Sequence, residues 1–121
     1  MKSLRRKPTD AELTILRVLW DRGPSTVREV AEVLGREAGY TTVLKLLQIM
    51  TEKKLVLRDE SERTHVYRAA HSEDQTQRHL VSDLISRAFE GSAAKLVLQA
   101  LESGKTSPEE LKAIRKLLDS Q

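Results

Sequence analysis

Apolar positions recur along the first fifty residues with the period of an α-helix, and each run is preceded by a helix-starting signal. Thr9-Asp10-Ala11-Glu12 has the spacing of a capping box, in which the Thr hydroxyl accepts from an orphan backbone N–H and the Glu reaches back to the cap. Leu13, Leu16, Leu19 and Trp20 follow on one broad side, and Gly23-Pro24 ends the run. Thr26-Val27-Arg28-Glu29 repeats the box. Val27, Val30, Ala31 and Leu34 then recur at i, i+3, i+4 and i+7, and Gly35 stops the helix. A third helix is predicted from Gly39-Tyr40-Thr41-Thr42 to about Lys53. At about 100° per residue, Val43, Leu46, Leu47 and Met50 share one side. Thr41, Lys45, Gln48 and Glu52 cluster on the other, flanked by Thr42 and Ile49.

The period then changes. Segments 55–59 and 65–69 carry β-branched and aromatic residues around the polar run 60–64, which predicts a hairpin. From Ser72 onward the pattern is helical again. Ser72-Glu73-Asp74-Gln75 is another capping box, ahead of Leu80, Val81, Leu84, Ile85 and Ala88. After Gly91-Ser92 come Ala93, Leu96, Val97 and Leu101, ended by Gly104. Ser107-Pro108-Glu109-Glu110 supplies a cap, a Pro at the first helical position and acids in the first turn, ahead of Leu111, Ile114, Leu117 and Leu118.

Helix, helix, turn, helix, hairpin is the order of a winged helix-turn-helix. The expected fold is therefore mainly α with a small β-hairpin: a winged helix-turn-helix DNA-binding domain over 1–71 and a helical dimerisation domain over 72–121. The C-terminal helices are too short and too few to be stable alone. Their stripes need a partner surface, and a second copy of the chain is the simplest one. Leu80, Leu84, Ile85, Leu96, Val97, Leu101, Leu111, Ile114 and Leu118 are the expected homodimer contacts.

Composition narrows the function. The chain has 121 residues, 39% hydrophobic and 32% charged, which describes a foldable chain and not a disordered one. Aromatics are 3%, so the core is built from Leu, Val, Ile and Ala. The absence of cysteine removes disulfides, thiolate metal sites and thiol catalysis, and fits a cytoplasmic protein. No apolar run approaches membrane-spanning length, so no membrane insertion is expected. The start Met1-Lys2-Ser3-Leu4-Arg5-Arg6-Lys7 lacks the apolar stretch of a signal peptide and reads as a mobile basic arm. Charge is asymmetric: 14 Lys and Arg against 10 Asp and Glu up to His71, and 7 against 8 from Ser72. A basic first part and a near-neutral second part suit a chain that meets a polyanion with one end.

In a helix-turn-helix the second helix of the motif enters the major groove. Here that is the third helix. Thr41, Thr42 and Gln48 carry groups that pair with base edges, Lys45 can reach a guanine edge or a phosphate, and Ile49 can touch a thymine methyl. The hairpin carries Arg58, Arg63, His65 and Arg68. Arg63, at its tip, is the expected phosphate contact, and Arg5 and Arg6 of the arm are further candidates. The competing reading of these positions is an ordinary solvated surface, equally compatible with periodicity alone. Tyr67 is expected in the core. His65, His71 and His79 form no metal-ligand spacing, so no metal or cofactor is expected. No nucleophile triad, phosphate loop or carboxylate pair points to an enzyme.

Pro8-Thr9-Asp10-Ala11-Glu12-Leu13, Val18-Leu19-Trp20-Asp21-Arg22-Gly23-Pro24, Thr26-Val27-Arg28-Glu29-Val30, Gly39-Tyr40-Thr41-Thr42-Val43 and His65-Val66-Tyr67-Arg68 together resemble the penicillinase repressor family, the BlaI/MecI/CopY type. The likeness covers nearly the whole chain, and Gly39-Tyr40-Thr41-Thr42-Val43 is its most specific piece. The resemblance implies a homodimeric transcriptional repressor on a palindromic double-stranded DNA operator. It implies operator contact at Thr41, Thr42, Lys45 and Gln48, and a dimer held by the C-terminal helices. Three departures stand out. Ile49 replaces an Arg found in many members. Lys54 replaces a Gly at the end of the reading helix, which carries strain if the backbone there keeps a positive φ. The cysteine cluster of the copper-responsive branch is absent. The β-lactam branch is relieved by cleavage in its penultimate helix, and Gln99-Ala100 stands at the corresponding place. This leaves open proteolytic relief by a membrane-bound sensor protease. Two further readings are compatible with the residues: a winged helix used for protein–protein contact, and a repressor answering to a small ligand.

Overall fold

Most helices in this protein begin where a hydroxyl can close the first turn. The computed structural model describes residues 7–35 and 39–121. Helix α1 (Asp10–Arg22) opens on Thr9, whose hydroxyl accepts from Glu12 N while Glu12 Oε1 accepts from Thr9 N at 2.8 Å. Helix α2 (Val27–Leu34) repeats this with Thr26 and Glu29. Helix α3 (Tyr40–Glu52) starts from Gly39 without a side-chain cap. Strands β1 (Val56–Asp59) and β2 (Val66–Ala69) form the antiparallel hairpin, pairing Val56 with Ala69 and Asp59 with Val66. Helices α4 (Glu73–Ala88), α5 (Ala93–Glu102) and α6 (Pro108–Asp119) complete the described chain. The predicted boxes at Ser72 and Ser107 both form. The fold is thus mainly helical: a winged helix-turn-helix followed by C-terminal helices.

Two boundaries differ from the sequence expectation for one reason. Helix α3 ends at Glu52, and β1 starts at Val56 and not at 55. Leu55 N donates back to Met50 O at 2.9 Å and Lys54 N to Thr51 O at 3.1 Å. This pair of bonds is a Schellman motif, which closes the helix and leaves Leu55 only its carbonyl for the sheet; that carbonyl accepts from Ala70 N. The motif needs a left-handed residue between, and Lys54 takes φ 64°. The strain conditional on a positive φ at Lys54 is therefore present. Strand β2 begins at Val66, one residue later than expected.

The chain divides into two compact units, residues 1–80 and 81–121. The first has a core of Ile15, Leu16, Val18, Leu19, Val27, Val30, Val43, Leu47, Met50, Leu55, Val56 and Tyr67. Tyr67 is buried as expected and also binds the α1–α2 connection: Ser25 and Tyr67 exchange backbone hydrogen bonds of 2.9 and 2.8 Å. Trp20 Nε1 donates to the His71 carbonyl at 3.0 Å, tying α1 to the segment after β2. Glu12 is buried, and beyond its capping bond it accepts from Lys53 Nζ at 2.9 Å. In the second unit no side chain is buried. Leu84, Val97 and Leu118 are 47, 40 and 61% exposed in the single chain.

Candidate nucleic-acid interface

Helix α3 is held by one side. Val43, Leu47 and Met50 are fully buried, so α3 turns Thr41, Thr42, Lys45 and Gln48 outward, and all four are exposed. None of these four side chains makes a hydrogen bond or ion pair with another described residue. Among the described residues nothing engages their donors and acceptors, which are of the kinds that pair with base edges. Ile49 sits at the margin of the face, 36% exposed, and Glu52 is exposed at its end. At about 100° per residue, Tyr40 and Leu44 lie on the flank next to Gln48 and Thr41, and Thr42 and Ile49 on the opposite flank.

The hairpin sorts its cations. Arg58 is engaged: its Nε donates to Glu60 Oε2 at 2.8 Å. Hydrogen bonds to Glu60 and then to Tyr67 raise the Arg58 pKa above its ordinary value. The Asp59 carboxylate accepts from Ser61 N and is held below the usual aspartate pKa by that bond, shaping the turn. Arg63, at the tip, is exposed and has no ion-pair partner among the described residues. Arg5 and Arg6 lie outside the described residues.

Sequence reasoning missed a groove that α2, α3 and the hairpin form together. It encloses about 340 Å³ and is lined on its polar side by Thr26, Arg28, Tyr40, Arg63, Thr64 and His65. Among the described residues no carboxylate lines it. Glu29, the nearest acid in sequence to Arg28, is turned to Arg22 at 2.9 Å and to the Thr26 backbone. The backbone bond from Thr26 lowers the Glu29 pKa, with Arg22 adding to the effect. Periodicity could not have assembled this groove, because its residues come from three elements. The one signal available was that Arg28, unlike Glu29, has no role in the α2 cap.

His65 is exposed and His71 half-buried. No cluster of His, Asp or Glu able to hold a metal ion occurs among the described residues. No helix among them is long and apolar enough to cross a membrane.

A family model described as penicillinase repressor matches residues 8–120. Two curated relatives carry the name "Transcriptional regulator BlaI", from Mycobacterium tuberculosis strains CDC 1551 / Oshkosh and ATCC 25618 / H37Rv. Each is 35% identical to this chain over 92 residues, covering 74% of this chain and 67% of the relative.

Proposed function

Because the chain belongs to the penicillinase repressor family of transcriptional regulators, we propose that it is a homodimeric repressor that binds a palindromic DNA operator through α3 and the hairpin. The observation that carries this reading is the outward face of α3. Four hydrogen-bonding side chains stand exposed, with no partner among the described residues, on a helix locked from behind by Val43, Leu47 and Met50. Thr41, Thr42, Lys45 and Gln48 read base edges, and Ile49 adds an apolar contact at the margin. Arg63 meets the phosphate backbone, joined by Arg5 and Arg6 of the arm.

The DNA-binding domain is residues 1–71 and the dimerisation domain residues 72–121. Leu80, Leu84, Ile85, Leu96, Val97, Leu101, Leu111, Ile114 and Leu118 pack against the same helices of a second copy. Support comes from the second unit, where no residue is buried in a single chain. Such a unit gains too little from burial to offset the ordering of its backbone. Two weakly binding half-sites on one dimer bind far more tightly than either alone, so loss of the dimer releases DNA. Cleavage in α5 near Gln99 and Ala100 by a membrane-bound sensor protease is one route to that loss. The site of action is the cytoplasm.

The experiment is selection of duplexes from a random pool, followed by affinity measurement across salt concentrations. The expected result is a selected palindrome whose affinity falls steeply with salt. Thr42→Ala with Lys45→Ala should weaken the selected site about tenfold or more while thermal unfolding stays unchanged. An unchanged affinity in that double variant rules out this face of α3.

A further inference from the structure

Two arginines from elements far apart in sequence line the same groove, and among the described residues no acid lines it with them. Arg28 comes from the first turn of α2 and Arg63 from the hairpin tip. Like charges brought together cost free energy unless something of opposite sign joins them. Each is exposed, and neither pairs with another described residue. Beside them the lining carries further side chains able to donate, those of Thr26, Tyr40, Thr64 and His65, over an apolar floor that includes Val27 and Leu44. Such a lining matches an oxyanion with several acceptor oxygens, and the planar fork of Arg suits a phosphate in particular.

Position selects which phosphate. Tyr40 belongs to both the groove and α3, on the flank beside Thr41 and Gln48. A strand whose bases meet Thr41 and Gln48 therefore passes its backbone over this flank. We propose that the groove between α2, α3 and the hairpin tip seats one backbone phosphate of the operator duplex, gripped jointly by Arg28 and Arg63 with the Tyr40 hydroxyl beside them. This rests on the reading of α3 as the groove-reading helix. It adds Arg28 and Tyr40 to the contact set and makes the seat a register pin: it fixes where α3 lies along the duplex without itself reading sequence.

The test uses the full chain and the duplex that the wild type selects. Arg28→Gln and Arg63→Gln are combined, and the slope of log affinity against log salt is compared with wild type. One shared phosphate predicts a slope smaller by about 0.9 in the double variant and by less in each single variant. Non-specific duplexes should weaken in parallel. The double Lys variant keeps the charge and should keep the slope, which separates a phosphate role from a merely structural one. A scan of single neutral methylphosphonate linkages along the duplex then locates the seat. At one position per half-site, wild-type affinity should fall while the double Gln variant is indifferent. An unchanged slope, a loss near 1.8 from two separate phosphates, or no linkage with that pattern overturns the shared seat. If the wild type selects no duplex at all, the α3 reading fails first. A wild type that selects a duplex alongside Gln variants equal to it fails the seat alone.

Discussion

Lys53 Nζ lies 2.9 Å from Glu12 Oε1, joining the last turn of α3 to the first turn of α1 across 41 residues. Glu12 is 2% exposed, and the same oxygen accepts from Thr9 N at 2.8 Å. The carboxylate therefore closes a helix start and anchors a helix end at once. Lys53 is the C-cap residue of α3, so the pair bears on where the outward face of that helix points.

Removing Lys53 leaves a buried carboxylate without its countercharge. Lys53→Met should lower stability by about 3 kcal/mol, at the lower end for a buried pair because the Lys side chain keeps some contact with water. Chemical denaturation reads this directly. A change below about 0.5 kcal/mol, as for an ordinary surface substitution, would mean that the pair is incidental.

Lys54 occupies the left-handed position of the Schellman motif at φ 64°. Glycine adopts that conformation without strain, whereas a side chain costs on the order of 1 kcal/mol there. Lys54→Gly should raise stability by about 0.5 to 1 kcal/mol, the relief being partly offset by the greater freedom of Gly in the unfolded chain. A lower thermal midpoint in this variant would contradict the assigned backbone.

Leu118 is 61% exposed in one chain, so an acid there should be harmless to an isolated copy. If the C-terminal helices hold a dimer, Leu118→Glu buries a charge against the partner. Sedimentation equilibrium should then show dissociation to monomers, and affinity for a palindromic duplex should fall at least about a hundredfold. A variant that remains dimeric and binds as before removes Leu118 from the interface.

Acid should weaken two caps. Backbone hydrogen bonds from Thr26 and Ser107 hold Glu29 and Glu110 below the usual glutamate pKa of 4.5. With folded pKa values depressed, their contribution is fully present above the unfolded value and is lost as pH falls through the folded ones. Thermal midpoints should fall with pH below about 4.5. Glu29→Gln with Glu110→Gln should flatten part of that slope while Gln keeps the capping geometry. Identical slopes in the variant and the wild type would exclude these two groups as its source.

What the chain determines by itself is local. The boxes at Thr9, Thr26, Ser72 and Ser107 join residues three apart, so their spelling suffices to place helix starts. The apolar period of α3 likewise shows which side is buried, and so that Thr41, Lys45, Gln48 and Glu52 face out with Thr42 and Ile49 at the margin. Lys54 stood out only through the family resemblance, which implies a Gly at that place, and the backbone decided that φ there is positive. Tertiary structure decided the rest. That Glu12 meets Lys53, that Trp20 reaches the His71 carbonyl, that Ser25 pairs with Tyr67 and that Arg28 shares a groove with Arg63 all follow from how three helices and a hairpin stack. Helical period sets which face of each element is buried but carries no term for the angle between elements, and these meetings depend on that angle.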